Sequence, residues 1–320
     1  MKKIYALKLF IGMLLIFLLI SKADLFGSVL EIFTQLDYYD VAIVALMPAP
    51  LILMSCVKWQ LLLSYRKISV RMISLTRYYI IGFFFNNFLP SSIGGDAARS
   101  YLVGENIGSQ SESLAAVVLE RLSGLFTLFA LAAVGYALTP RVHDDPLVAG
   151  SILILAFGCI AIGTALWAPS SVIEPIETIA AKLPVVRKVM ALFVKMRVAM
   201  PGFWNAPKVV FLTLLYSLGF HALTILNVFV TALVLGIDLS FVHLCVVTPI
   251  ILAIAAIPTT PGGLGVWEWA YSILLLPIGA TFEEGLAIAL VLRGQHLFAS
   301  MLGGFLYLLE KRQNTSLEET

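Results

Sequence analysis

Charge is scarce in this sequence. Only 12% of its 320 residues are Asp, Glu, Lys or Arg, against about 25% in a typical soluble domain. Hydrophobic residues make up 60%, and the mean hydropathy is +0.97. A water-facing surface cannot be covered at this composition, so the chain is expected to cross a membrane several times. The net charge of +2 implies no nucleic-acid partner. Cysteine is also rare. Cys56, Cys159 and Cys245 lie singly in apolar runs, without a C-x-x-C pair, and read as small buried hydrophobes rather than a redox or zinc site. There is no H-E-x-x-H, no Walker loop and no G-x-S-x-G, so no metal, no cofactor and no enzymatic activity are expected. Low-complexity tracts are absent.

What the chain does contain is a series of apolar runs. A hydrocarbon core of about 30 Å needs roughly 20 residues of helix. Runs of that kind fall at about 4–20, 41–63, 113–138, 147–168, 208–236 and 285–309, with shorter or broken pieces at 75–89, 241–257 and 264–278. The first run reads as an uncleaved helix rather than a signal peptide, despite the Ser21-Lys22-Ala23 that follows it. Basic residues mark one side: Arg66, Lys67, Arg71 and Arg77, then Lys182 to Lys208, then Lys311 and Arg312. By the positive-inside rule these segments and both termini face the cytoplasm of the cell membrane. The acid-rich stretch 22–40 and the turn 141–146 face outward.

Counting crossings then constrains the broken pieces. The segment between 77 and 112 must enter and leave on one side, and 241–278 must start and end on the other. The first, at about 75–112, reads as a re-entrant hairpin; the second, at about 241–278, is either two complete crossings or another re-entrant hairpin, which the short limb 266–278 favours, all within a single integral membrane domain spanning 1–320. Between the halves, 170–207 carries Ile173, Ile176, Ile179 and Leu183 at helical spacing among basic residues, the pattern of an amphipathic cytoplasmic connector.

The two hairpins share a turn. Pro90-Ser91-Ser92-Ile93-Gly94-Gly95 and Pro258-Thr259-Thr260-Pro261-Gly262-Gly263 both read P-[ST]-[ST]-x-G-G. Repeated breakers entering from opposite sides predict an inverted repeat with a substrate site where the broken helices meet. The expected fold is therefore an all-α polytopic bundle of about six to eight spanning helices plus two re-entrant hairpins. Pro90, Gly94, Gly95, Pro258, Pro261, Gly262, Gly263 and Gly265 would form the turns. Helix N-termini after Gly95 and Gly265 would offer partial positive charge to an anion.

Charges inside spans are costly and mark cavities or partners. Arg99, Arg121 and Arg293 are expected to line one polar cavity and to suit a phosphate. Asp96, Glu120 and Glu268 would balance them. Asn87, Ser91, Ser92, Thr259 and Thr260 would add polar contacts at the turns. His296 shares a helix face with Arg293; packing or hydrogen bonding is its blander role. The same blander reading applies to Glu120–Arg121 and Asp96–Arg99 as buried pairs that only fix helix packing, and to Glu268 as an interfacial residue between Trp267 and Trp269. His221 stands alone in its span.

Three ordered stretches, GFFFNNFLPSSIGGDAARSYLV, AAVVLERLSGL and IPTTPGGLGVWEWAYSILL, resemble the transmembrane domain of the lysylphosphatidylglycerol synthase/flippase family. The resemblance covers essentially the whole chain. It implies a helical bundle with re-entrant helices, tied to moving lipids between leaflets. Aminoacyl transfer belongs to a soluble domain fused to some members, and is not expected of a chain stopping at Thr320. Asn87, Pro90, Gly94, Gly95, Asp96, Arg99, Glu120, Arg121, Pro258, Pro261, Gly262, Gly263, Gly265 and Glu268 occupy the family's motif positions. The leading expectation is a flippase for a phospholipid or a polyprenyl-phosphate-linked lipid. Two rivals stay open: an accessory subunit presenting such a lipid to a separate synthase or glycosyltransferase, and a membrane-embedded transferase using Asp96 or Glu120 as base. A homo-oligomer is compatible with each.

Overall fold

The structure is a computed structural model that describes residues 2–21, 25–88, 94–168, 170–180, 206–257 and 259–318. Pro90, Ser91, Ser92, Pro258 and most of the expected connector, 181–205, lie outside the described residues. Among those described, the chain is helical with no strands. In chain order the helices are α1 (Lys2–Ile20), α2 (Leu25–Thr34), α3 (Tyr38–Leu46), α4 (Pro48–Tyr65), α5 (Met72–Phe88), α6 (Gly94–Ile107) and α7 (Gln110–Leu138). Then follow α8 (Pro146–Trp167), α9 (Ser170–Ala180), α10 (Pro207–Val234), α11 (Phe241–Ala256), α12 (Val266–Leu274) and α13 (Phe282–Glu318).

Among the described residues, five stretches are long and apolar enough to cross a membrane: Tyr38–Tyr65, Gln110–Leu138, Pro146–Ala165, Pro207–Val234 and Phe282–Glu310. Ala6–Leu19 and Phe241–Ala256 are shorter apolar helices. Together they make the all-α polytopic membrane bundle expected from composition. Local chemistry starts several of them. Asp37 and Asp40 cap α3 reciprocally; Asp145 accepts from the amides of Leu147 and Val148 before Pro146 opens α8. Thr281 and Glu284 form the same kind of box at α13, each satisfying amides that a helix start leaves unpaired.

The acid-rich segment 22–40 holds α2 and the start of α3. The last helix runs to Glu318, and its membrane-length stretch, Phe282–Glu310, matches the apolar run expected at 285–309.

The two halves pack in exchange. Helix α5 lies on α13, and α11 lies on α7, while α6 packs on α7 and α12 on α13. The contact pairs fix their directions. Tyr78 bonds Asn106 and Asn86 bonds Gly95, so α5 and α6 are antiparallel. Arg121 meets Asp96 while Gln110 lies against Gly104, so α6 and α7 are antiparallel too. Helix α7 therefore runs with α5. At the other interface Tyr78 faces Glu310, whereas Asn87 lies beside Gly262, which is bonded to Arg293. Helix α13 thus runs against α5, and so against α7, its counterpart in the other half.

Close approach at these crossings relies on small residues. A Cβ on Gly303 would strike the Ile80 carbonyl, and one on Gly135 would come within 2.9 Å of the Cys245 backbone. Between membrane helices such contacts replace the hydrophobic drive that lipid removes.

Candidate functional site

The hairpin α5–α6 places Asp96 in the first turn of α6, directly after the glycines. Gly95 can sit there only because it has no side chain: a Cβ would collide with the Gly82 carbonyl and the Asn86 amide. Its amide donates to Asn86 Oδ1 at 2.8 Å, so one expected anion-binding amide is already used within the protein.

Asp96 then gathers two arginines. Arg121 on α7 donates through Nε and Nη2 to its two oxygens at 2.7 and 2.9 Å. Arg99, one turn along α6, reaches Asp96 Oδ1 through Nη2 at 2.9 Å and Glu120 Oε2 through Nη1 at 2.8 Å. Arg99 is also held between the rings of Trp59 and Tyr79, each centroid 4.8 Å from its Cζ. Every face of this guanidinium is occupied. Its side chain is 3% exposed, whereas that of Arg121 is 60% exposed. Arg121 is therefore the exposed member of the cluster.

The second hairpin repeats the arrangement. Glu268 lies in the first turn of α12, and Arg293 on α13 donates to it through Nε at 2.9 Å and Nη2 at 3.2 Å. Arg293 also donates to the carbonyls of Gly262 and Gly263 at 2.6 and 3.0 Å. Those glycines adopt φ of 58° and 69°, left-handed values that suit glycine. Glu268 Oε2 accepts from the Gly265 amide at 2.9 Å, so this helix start is also satisfied internally. Helix α1 lies over the turn, with the Leu15 carbonyl accepting from Trp269 Nε1 at 2.9 Å.

The expectation of one cavity lined by Arg99, Arg121 and Arg293 is corrected here. The structure makes two clusters: Asp96, Arg99, Glu120 and Arg121 in one, and Glu268 with Arg293 in the other. Asp96 and Glu268 each hold an arginine with the geometry of a fork on a carboxylate. The clusters adjoin at the tip of α5, where Asn86 serves the first and Asn87 touches Gly262 of the second.

A cavity of about 770 Å³ opens beside that junction. Asn87, Gly262, Glu268 and Arg293 form its polar wall. Leu19, Phe33, Leu286 and Leu297 are among the apolar residues that make up most of the rest, with Ser300 further along α13. Thr260 is buried and spends its hydroxyl on the Leu264 carbonyl at 2.9 Å. Thr259 is exposed. His296 packs edge-on against Trp267, centroids 4.9 Å apart, and against Phe83, which is the packing role.

Sequence reasoning passed over Lys58 and the Asn227–Gln295 pair, and singled out His221 only as standing alone in its span. Lys58, a single charge inside the 41–63 run, is buried behind Glu120 and bonds its carbonyl at 3.3 Å. His221 bonds the Gly124 carbonyl at 3.0 Å. Gln295 and Asn227 exchange hydrogen bonds of 3.1 and 2.8 Å. The lone charge at 58 was a visible signal; the amide pair had none.

Comparison with known proteins agrees with this architecture. A family profile described as lysylphosphatidylglycerol synthase TM region matches residues 5–304. The chain is 25% identical over 336 aligned positions to a protein of Pyrococcus horikoshii named UPF0104 membrane protein PH1989, covering 96% of this chain and 97% of that one. No solved structure matches it significantly. With 300 consecutive positions under one profile, from the first helix to the last, the chain belongs to the lysylphosphatidylglycerol synthase transmembrane-region family.

Proposed function

We propose that this protein is a lipid flippase, carrying a phospholipid or polyprenyl-phosphate headgroup between leaflets. One observation carries the reading. The tips of two oppositely directed hairpins meet at Asn87 and Gly262, beside a cavity of about 770 Å³ whose polar residues gather at that meeting point, Ser300 apart, and whose other walls are mostly apolar. An amphiphile suits such a space: its chains match the apolar walls and its headgroup the polar corner.

In this reading each hairpin dips into the membrane and returns, and irregular backbone is tolerated there because it lines a cavity. The two acid–arginine pairs are equivalent stations. Arg293 is closed onto its own turn, while Arg121 is open. Exchange of those two conditions, one hairpin tip moving against the other, would expose the headgroup path first to one side and then to the other. Arg121 receives the phosphate, as a planar fork of donors that keeps its charge.

The test is translocation by the purified protein in proteoliposomes. Headgroup-labelled lipids are reconstituted in both leaflets, and quenching is followed after adding an impermeant quencher. The reading expects inner-leaflet label to become accessible faster than in protein-free vesicles. Equal rates across phospholipids and polyprenyl-phosphates would refute it.

A further inference from the structure

The proposed lipid path leaves one buried ionisable group unused. Lys58 on α4 is 4% exposed. Its Nζ donates to the Glu120 carbonyl at 3.3 Å and to Ser217 Oγ at 3.1 Å, and lies 5.8 Å from the centroid of the Phe220 ring. Ser217 donates onward to Ser123 Oγ at 3.0 Å, and Ser123 donates to the Glu120 carbonyl at 2.9 Å. The lysine thus ends a hydrogen-bonded chain of two hydroxyls behind the Asp96 cluster. Among the described residues no carboxylate forms an ion pair with it.

Charge counting gives this lysine a consequence. The adjoining cluster holds two carboxylates, Asp96 and Glu120, and two guanidiniums, Arg99 and Arg121. These cancel. An ammonium at Lys58 leaves one positive charge uncompensated inside the bundle, where unpaired charge is expensive. Two events relieve it: Lys58 gives up its proton, or an anion arrives at the cluster. Arg121 is where an anion can arrive.

Other groups face the same space. Glu120 and Arg121 do so from α7, Arg99 from α6, Tyr79 from α5, and Cys56 from α4 itself. His221 faces it from α10, one turn after Ser217. The acids and arginines are fixed in ion pairs with one another. His221 is the remaining base able to take a proton, and its Nε2 is engaged with the Gly124 carbonyl.

We propose that Lys58 is a proton site linked to binding of a phosphate-bearing anion at Arg121. The bound phosphate and the protonated amine balance each other; when the anion leaves, the Lys58 ammonium releases its proton and becomes the neutral amine. Linkage is reciprocal, so each binding event favours the other. A protein with this property moves a proton with its anionic cargo, which is a means of coupling transport to a pH gradient. The inference rests on the flippase reading only for where the lipid phosphate sits.

Its test reads binding and needs no movement between leaflets. Full-length protein in weakly buffered detergent solution receives short-chain phosphatidylglycerol, short-chain phosphatidylcholine or inorganic phosphate, while a pH indicator follows protons from about pH 5 to about pH 11, a range that covers lysine and histidine titration. Phosphatidylglycerol is expected to draw up to one proton per lipid bound, and the net-neutral phosphatidylcholine none. Uptake with inorganic phosphate as well would assign the linkage to the phosphate group; uptake with phosphatidylglycerol alone would assign it to the lipid. Lys58→Met and Lys58→Arg are both expected to bind phosphatidylglycerol without proton uptake, and either folded variant suffices. His221→Gln is expected to keep the uptake. The proposal is overturned if phosphatidylglycerol binds wild type without protons, if uptake survives in either lysine variant, or if neither anion binds.

Discussion

Arg121 grips Asp96 through two hydrogen bonds of 2.7 and 2.9 Å across a sequence separation of 25 residues. Arg293 grips Glu268 across the same separation, from a helix running the opposite way. In both cases the acid stands in the first turn after a glycine-rich break and the arginine in the long helix that follows. A shared spacing, a shared fork and opposed directions make these pairs the structural counterparts of the two halves.

The counterparts differ in burial, and their variants should differ accordingly. Glu268→Gln leaves Arg293, at 12% side-chain exposure, with neutral carbonyl acceptors but no carboxylate to balance its charge. Removing one member of a buried pair costs about 3 to 5 kcal/mol, so thermal unfolding in detergent is expected at a clearly lower temperature. Arg121→Gln removes a side chain that is 60% exposed. It should unfold within a few degrees of wild type while lipid translocation falls severalfold.

Arg99→Lys should not behave as a conservative change. The ammonium cannot span Asp96 and Glu120 together as the planar guanidinium does between Trp59 and Tyr79. Losing one charge-assisted hydrogen bond costs about 2 kcal/mol. Chemical denaturation of the two proteins side by side measures it.

Glycine substitutions should separate by contact rather than by helix. Gly95→Ala drives a methyl into the Gly82 carbonyl, whereas Gly150→Ala on α8 meets nothing within 4 Å. The first is expected to prevent the α5–α6 hairpin from closing and to lower the yield of folded protein. The second is expected to be neutral or to stabilise by up to about 1 kcal/mol. Size-exclusion profiles and melting curves distinguish them.

Much of this architecture was legible in the sequence because the membrane imposes it. Run length and loop charge located the spanning helices, and the repeated P-[ST]-[ST]-x-G-G marked both breaks. Asp96 and Arg99 were visible as partners because three residues bring them to one helix face. The Asp96–Arg121 and Glu268–Arg293 pairs were not drawn, although their equal spacing was there to be counted. The turn motifs repeat at an offset of 168 residues and the charge pairs at 172, so aligning the turns hides the pairs. That difference of four residues lies between the shared Gly-Gly and the acid, where the second hairpin inserts Leu264 to Trp267. Lys58 was overlooked for another reason: its partners are a carbonyl and a hydroxyl on distant helices, and neither carries a sequence mark.

The most direct test of the account is whether the hairpin tips must move apart. The Asn87 Cα lies 3.9 Å from where a Cβ on Gly262 would stand, a backbone approach close enough for a disulfide. With Cys56, Cys159 and Cys245 replaced by alanine or serine, Asn87→Cys/Gly262→Cys is reconstituted and lipid translocation is measured oxidised and reduced. The account predicts that oxidation stops translocation and reduction restores it. Undiminished translocation by the fully cross-linked protein would contradict it.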